Sequence, residues 1–121
     1  MKKILIAITT DAISTALSRA LYQYEVHICS TGTETLAMLE ILHPDILILD
    51  LMLPAIDGLT VLRKSSFRPR TILAITNFIS ATVLHTAADV GVQDIVLIPC
   101  TIRYIVNRLE TLIEKVPSLE V

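Results

Sequence analysis

Asp50 is the residue whose type and position most clearly indicate chemistry. It follows the aliphatic run 46–49, and burying an ionised carboxylate without a partner costs several kcal/mol. Thr9 and Thr76 each follow another aliphatic run. Where parallel strands end at one edge of a sheet, such groups line the crevice in which ligands bind. The residues alone leave a second interpretation open, in which Asp50 caps the turn that follows it.

Five short aliphatic runs, and the segments between them, are the elements that must position Asp50. The runs lie at 4–8, 26–29, 46–49, 72–75 and 95–98, and most lack polar alternation, which is typical of strands buried on both faces of a parallel sheet. The intervening segments place apolar residues at i, i+3 and i+4, the spacing of amphipathic helices. The sequence therefore predicts an α/β fold, a single flavodoxin-like (βα)5 three-layer sandwich with parallel sheet order 2-1-3-4-5.

Residues at the predicted helix starts agree with this pattern. Three helices are preceded by a side chain that can accept a hydrogen bond from the first turn: Thr10 or Asp11, Thr31 in a capping box with Glu34, and Thr101. The domain is predicted to span residues 1–116. Because Pro117 cannot easily continue the last helix, residues 117–121 are expected to begin a linker to an output domain outside this sequence.

The composition restricts the class of protein. Of the 121 residues, 53% are hydrophobic and 18% are charged, which excludes a disordered or fibrous chain. The net charge of -2 gives no electrostatic reason for direct binding to nucleic acid or to an anionic membrane. The apolar runs are too short to span a bilayer and no signal-peptide cleavage pattern follows them, so a cytoplasmic protein is expected. Cys29 and Cys100 lie in or beside apolar runs and are expected to be buried, reduced thiols.

The segment that begins at Asp50 carries a family resemblance. Its sequence over 50–58, Asp-Leu-Met-Leu-Pro-Ala-Ile-Asp-Gly, resembles the phosphoacceptor segment of response-regulator receiver domains. The resemblance extends to Thr76, to Pro99 and to the fivefold β-α layout, and so covers essentially the whole chain. It implies that Asp50 is the phosphoacceptor of a two-component system or phosphorelay, and that Thr76 is the switch hydroxyl that contacts the phosphoryl group. It also implies a cis peptide bond before Pro99.

Several positions depart from the receiver pattern. The acidic pair that holds Mg²⁺ in the family falls in the window 7–10, where this sequence has Ala-Ile-Thr-Thr. Thr9 and Thr10 are therefore expected to line the site in place of carboxylates. Ile98 replaces the family's lysine, and Ile95 replaces its aromatic switch residue.

Magnesium binding is expected to be weak because of these departures. Asp11 is the only acid near the end of the first strand, and a role at the start of the first helix is favoured for it. Asp50, alone or with Asp11, therefore forms a poor metal site. Phosphoryl transfer depends on positioning and on charge neutralisation, and loss of one such group typically lowers the rate about 10²- to 10³-fold. Phosphorylation of Asp50 is expected to be compromised, and no resident cofactor is expected.

Three functions remain open at this point. The first is an atypical receiver, not an enzyme, that signals by protein contact with weak or absent Mg²⁺-dependent phosphorylation. The second is a working phosphoacceptor that a histidine kinase modifies at Asp50. The third is a small flavodoxin-like enzyme or ligand-binding domain, although the crevice lacks a His, Cys-His or Lys arrangement.

The resemblance also implies partners. They are a histidine kinase or other signalling protein upstream, and a C-terminal output domain downstream that regulates transcription, often by binding DNA. A second copy of the domain is expected to make contact through the fourth and fifth helices.

Overall fold

Five parallel strands form one sheet in the computed structural model, which describes residues 1–115. The strands are β1 (Lys3–Ala7), β2 (Glu25–Cys29), β3 (Ile46–Asp50), β4 (Thr71–Thr76) and β5 (Asp94–Leu97). Their order is β2-β1-β3-β4-β5, which confirms the predicted flavodoxin-like arrangement. β1 and β5 each begin and end one residue earlier than the aliphatic run that predicted them. As a result, Ile8 and Ile98 lie just beyond the carboxyl ends of their strands.

Five helices connect and follow the strands. They are α1 (Asp11–Ala20), α2 (Gly32–Leu42), α3 (Gly58–Lys64), α4 (Ala81–Asp89) and α5 (Ile102–Lys115). The predicted caps of α2 and α5 are confirmed, because Thr31 accepts the amide of Glu34 (3.1 Å) and Thr101 that of Tyr104 (3.0 Å). Among the described residues, no helix has the length and apolarity needed to cross a membrane. The predicted linker, 117–121, lies outside the described residues.

The first helix is the exception to the predicted capping. Thr10 occupies the N-cap position of α1, but its side chain accepts no hydrogen bond there. Asp11 is the first residue of the helix rather than its cap. The prediction that one of these side chains caps α1 is therefore wrong. The negative charge of Asp11 in the first turn still interacts favourably with the helix dipole.

Helices cover both faces of the sheet, because successive strand residues point to opposite faces. One buried cluster joins even-numbered residues of β1 and β3 to α1, its C-cap and α5: Ile4, Ile6, Ile46, Ile48, Leu17, Leu21, Ile105 and Leu109. The other joins odd-numbered residues of the same two strands to α2 and α3: Leu5, Leu47, Leu49, Leu39, Val61 and Leu62. This double coverage explains why the runs show no polar alternation. It leaves the carboxyl edge of the sheet, where Asp50 lies, as the place for a functional crevice.

The two cysteines differ in their surroundings. Cys29 is buried at the end of β2, and its sulfur lies 3.1 Å from the hydroxyl oxygen of Thr35. Burial raises the pKa of this thiol. Cys100 is exposed in the loop after β5, so the prediction of two buried thiols is wrong for this residue. Proximity to an apolar run in the sequence did not place Cys100 inside, because the strand ends at Leu97.

Glu40 ties α2 to the segment after α3. Its carboxylate accepts hydrogen bonds from the amide and the hydroxyl of Ser66 (3.0 and 2.8 Å) and from the hydroxyl of Ser65 (3.2 Å). These bonds, those of Ser66 foremost, hold the pKa of the Glu40 carboxyl below its usual range. A carboxylate whose pKa is lowered by folding stabilises the folded state when it is ionised.

We expect Glu40→Gln to make the stability of the domain less dependent on pH. The stabilisation by Glu40 is present above the ordinary pKa of a glutamate and is lost as the pH falls through the lower pKa of the folded state. Urea denaturation between about pH 7 and about pH 3 measures this effect. Glu110→Gln, an exposed glutamate of α5, is the matched control. An acid sensitivity of Glu40→Gln equal to that of the wild type would show that these hydrogen bonds do not contribute.

Candidate functional site

Asp50 ends β3 and is 7% exposed. Its Oδ2 accepts a hydrogen bond from the amide of Thr9 (3.3 Å), and its Oδ1 accepts one from the amide of Met52 (2.8 Å). The bond from Met52 caps the turn after β3, so the structure confirms the turn-capping interpretation. No ion pair found within residues 1–115 includes Asp50. Two backbone dipoles, rather than a charged side chain, therefore hold the carboxylate.

The end of β1 brings apolar and hydroxyl side chains to this edge of the sheet. Ile8 is 1% exposed, and its amide donates to the carbonyl of Cys29 (3.2 Å). Thr9 and Thr10 follow and are exposed. Ile8 and Thr9 are thus the first two residues after the strand, where the receiver pattern has its acidic pair. The structure places an aliphatic group and a hydroxyl there.

The donor set does not fit a magnesium site of the receiver type. Mg²⁺ prefers oxygen ligands in near-octahedral geometry and is usually bound by one or two carboxylates with waters. Asp11 begins α1 and is exposed, and no hydrogen bond or ion pair in the described part of the chain links it to Asp50. Residues 1–115 contain no group of three His, Cys, Asp or Glu side chains arranged to hold a metal.

Thr76 ends β4 next to Asp50 in the sheet, since Asp50 pairs in register with Ile75. The Thr76 side chain is buried, and its hydroxyl donates to the carbonyl of Phe78 (3.2 Å) and accepts the amide of the same residue (3.3 Å). The hydroxyl therefore belongs to the turn that follows β4. To donate to a group on Asp50, the hydroxyl would have to give up its hydrogen bond to the Phe78 carbonyl, because it has only one proton.

The loop after β5 adds a mainly apolar wall. The peptide bond between Ile98 and Pro99 is cis, as the family resemblance implies. The amide of Ile98 donates to the carbonyl of Thr76 (2.8 Å), which fixes this loop to the end of β4. A cavity of about 270 Å³ lies beside it, lined by Ile13, Asn77, Ile98, Pro99, Cys100, Ile102 and Ile105. The place of the family's lysine is thus occupied by an aliphatic side chain at the mouth of an apolar cavity.

Ile95, a predicted site residue, lies on β5 and faces α4. Its side chain packs against the cluster of α2 and α3, and it lines a crevice between α4 and β5 with Ile79 and Leu84. The next residue, Val96, lies in the cluster on the other face of the sheet. Alternation along β5 therefore directs Ile95 towards α4.

Backbone contacts near Asp50 were not predicted from the sequence. The amides of Thr9 and Met52 hold the carboxylate, and backbone donors have no signature of their own in a sequence. Gly58 begins α3, and a β-carbon there would lie 2.6 Å from the carbonyl oxygen of Asp50. Only glycine permits this approach. The Asp-Gly pair at 57–58 was the available signal, and Asp57 caps α3 by accepting the amide of Thr60 (3.0 Å).

Comparisons with known proteins agree on one family. The family model described as response regulator receiver domain matches residues 4–110. The transcriptional regulatory protein TrcR of Mycobacterium tuberculosis is 29% identical over an alignment of 124 residues. The alignment covers 98% of this chain and 48% of TrcR. The response regulator MprA of Mycobacterium avium is 30% identical over 117 residues, which cover 93% of this chain and 51% of MprA. This chain therefore spans about half the length of these relatives.

Solved structures agree with the sequence comparisons. A CheY-like response regulator receiver domain protein from Methanospirillum hungatei matches with a TM-score of 0.84 and 27% identity, over 94% of this chain and 95% of that one. A response regulator, described as putative, from Chloroflexus aurantiacus matches with a TM-score of 0.78 and 26% identity, over 94% and 98% of the two chains. The likeness extends over nearly the whole of each chain.

Proposed function

The chain belongs to the family of response regulator receiver domains, the signalling domains of two-component systems, and on that premise we propose that it is an atypical receiver. It signals mainly by protein contact, with weak or absent Mg²⁺-dependent phosphorylation of Asp50, and it catalyses no reaction of its own. The set of groups around Asp50 supports this proposal. Two amides hold the carboxylate, and Ile8, Thr9 and Ile98 stand where the receiver pattern has two acids and a lysine.

The lack of charged side chains at positions 8, 9 and 98 is the reason that we propose for weak phosphorylation. A phosphoryl group on Asp50 brings about two negative charges into the crevice. The buried Ile8 and the half-buried Ile98 offer no compensating charge, and a charge that is not neutralised is unfavourable where it is shielded from water. Loss of the acidic pair and of the lysine is expected to lower the rate by about 10⁴-fold relative to a receiver with all three groups.

A small phosphodonor tests the proposal without knowledge of the kinase. We expect incubation with acetyl phosphate and Mg²⁺ to leave the intact mass of the chain unchanged over a time in which a receiver with the full set of groups is phosphorylated. The Asp50→Asn variant controls for modification at other residues. Rapid addition of one phosphoryl group that depends on Asp50 contradicts the proposal and supports the working phosphoacceptor.

The relatives indicate the partners that we propose. TrcR is named as a transcriptional regulatory protein, and this chain matches about half of it. We propose that the chain is part of a longer response regulator, in which residues 1–116 form the receiver and a DNA-binding output domain regulates transcription. Its upstream partner is then a histidine kinase or another signalling protein.

Exposed apolar side chains support a contact surface at the β5 edge of the sheet. Five large hydrophobic residues on α4, β5, α5 and the loop before α4 are at least 37% exposed, and we name them the apolar edge surface: Phe78, Ile79, Leu84, Leu97 and Tyr104. Arg108 forms an ion pair with Asp94 and donates to the Tyr104 hydroxyl (2.6 Å), which adds polar groups beside this surface. Large exposed apolar surfaces commonly mark protein interfaces. We propose that a second copy of the chain covers this one.

We expect Leu97→Glu to weaken self-association and raise the dimer dissociation constant about tenfold or more, because a charge replaces an apolar side chain that is buried in the interface. Leu97 is 51% exposed on the edge strand β5. Analytical ultracentrifugation over a concentration series measures the effect. Ile41→Glu, at a position of α2 that is 77% exposed, is the matched control and leaves association unchanged. A wild-type chain that stays monomeric, or equal effects of both variants, contradicts the proposed interface.

A further inference from the structure

Gly32, at the start of α2, touches the loop that follows Asp50. Its amide donates to the carbonyl of Pro54 (3.0 Å). A β-carbon on Gly32 would lie 1.7 Å from the carbonyl oxygen of Ile56 and 2.5 Å from the carbonyl carbon, whereas real β-carbons essentially never come within 3.0 Å of another heavy atom. Both atoms belong to the backbone, so no side-chain rotation can relieve the contact. A side chain at position 32 must move either the loop or α2.

The loop is closed on itself. The amide of Gly58 donates to the carbonyl of Leu51 (3.2 Å), which joins the two ends of the segment 51–58. Within it, Ala55 has a φ of 71°, in the left-handed region that non-glycine residues seldom occupy. A segment held in this way has few alternative conformations. We therefore expect a displacement where the segment meets α2 to shift the segment as a unit, together with Met52 near its start.

The first turn of α2 is held more firmly than the loop. Thr31 accepts the amide of Glu34 (3.1 Å), and the Glu34 carboxylate accepts the amide of Ser30 (3.3 Å). The buried Thr35 donates its hydroxyl proton to the carbonyl of Thr31 (2.7 Å). These bonds fix the helix start on both sides of Gly32. The loop is therefore the part that moves when space at position 32 is filled.

We propose that Gly32 is a positioning residue for Asp50. By letting α2 approach the loop 51–58 closely, it keeps the amide of Met52 on Oδ1 of Asp50 and so fixes the direction of the carboxylate. This inference rests on the proposed function insofar as Asp50 is the residue whose weak phosphorylation that function describes. Reacting and binding groups lose much of their effect when they are displaced by about 1 Å. Gly32 thus acts on Asp50 without touching it.

Amide NMR signals of Met52 and Thr9 report the hydrogen bonds to the Asp50 carboxylate, whether or not Asp50 can be phosphorylated. We expect Gly32→Ala to move the Met52 amide proton upfield, as loss of a hydrogen bond does. We also expect the Met52 signal to lose its response to Asp50→Asn in the Gly32→Ala background. The Thr9 amide, which bonds the other carboxylate oxygen from β1, keeps its response. A role of Gly32 in stability alone would not separate the two amides.

Gly91→Ala is the matched control. Gly91 has a φ of 95°, so alanine is strained there too, but it lies just after α4, and the atoms nearest to a β-carbon there belong to the Arg68 side chain rather than to the loop 51–58. We expect Gly91→Ala to lower stability and to leave the Met52 signal in place. An unchanged Met52 signal in folded Gly32→Ala, or the same shift in both variants, would overturn the proposal.

Hydrogen exchange of the wild-type chain keeps the proposal testable if Gly32→Ala does not fold. We expect the amides of Gly32 and Met52 to open together, with protection factors within about tenfold of each other. A Met52 amide that exchanges without protection beside a strongly protected Gly32 overturns the coupling. Neither measurement uses a phosphodonor, so rapid phosphorylation of Asp50 would refute the proposed function and leave both results for Gly32 as they stand.

Discussion

Replacing Ile8 and Thr9 by aspartate and Ile98 by lysine is expected to speed phosphorylation of Asp50 by acetyl phosphate about 10⁴-fold. These positions follow directly on the carboxyl ends of β1 and β5, and the backbone of Thr9 already bonds the Asp50 carboxylate. Carboxylates at positions 8 and 9 supply the oxygen ligands that Mg²⁺ prefers. A lysine at position 98 supplies a positive charge at the mouth of the crevice. The gain is measured as the rate at which the intact mass increases.

Two controls make this result specific. The same triple variant with Asp50→Asn is expected to gain no phosphoryl group. Ile98→Lys alone is expected to gain less, because it adds a cation without metal ligands. Ile8 is 1% exposed, so aspartate at this position lowers stability. The phosphorylation rates are therefore compared under conditions in which every variant is shown to be folded. A folded triple variant that reacts no faster than the wild type contradicts the view that these three positions limit phosphorylation.

Leu47→Ala is expected to lower the free energy of unfolding by about 2–5 kcal/mol. Leu47 is fully buried on β3, between Leu5 of β1 and Ile72 of β4, and all three belong to the cluster beneath α2 and α3. Alanine at this position removes apolar contacts and leaves a cavity. Because a domain of this size has a total stability of about 5–15 kcal/mol, the loss is a large fraction of it.

Urea denaturation measures this effect, and Ile41→Ala is the matched control. Ile41 is 77% exposed on α2, so its truncation is expected to change stability by no more than about 0.5 kcal/mol. Similar losses in the two variants would contradict the assignment of β3 to the centre of the core. The comparison also tests the strand that positions the site, because β3 ends in Asp50.

Residue patterns were sufficient to predict the fold. The runs 4–8 and 46–49 lack polar alternation, and the strands they form are covered by helices on both faces. Periodic apolar positions and caps such as Thr31 located the helices. Each of these patterns involves residues that are close together in the chain, so it can be recognised in a single sequence. The strand order was predicted as the flavodoxin-like one among the common doubly wound arrangements, and no single residue dictates it.

The site was less predictable because its details depend on contacts between distant segments. The amide of Thr9 reaches Asp50 across 41 positions of the chain. The face on which Ile95 lies depends on the pairing register of β5 against β4, and a shift of one residue reverses it. The contact of Gly32 with Ile56 joins the start of α2 to the loop 51–58, and no local pattern encodes this approach.

The most direct test of the central claim is an amide NMR titration of the wild-type chain and Asp50→Asn with Mg²⁺, followed by beryllofluoride. Beryllofluoride stands for the phosphoryl group on an aspartate carboxylate. The atypical receiver proposed here is expected to show no shifts at millimolar Mg²⁺ that depend on Asp50, and none on addition of beryllofluoride. Shifts around Thr76 and α4 that appear in the wild type and vanish in Asp50→Asn would contradict it and establish a working phosphoacceptor.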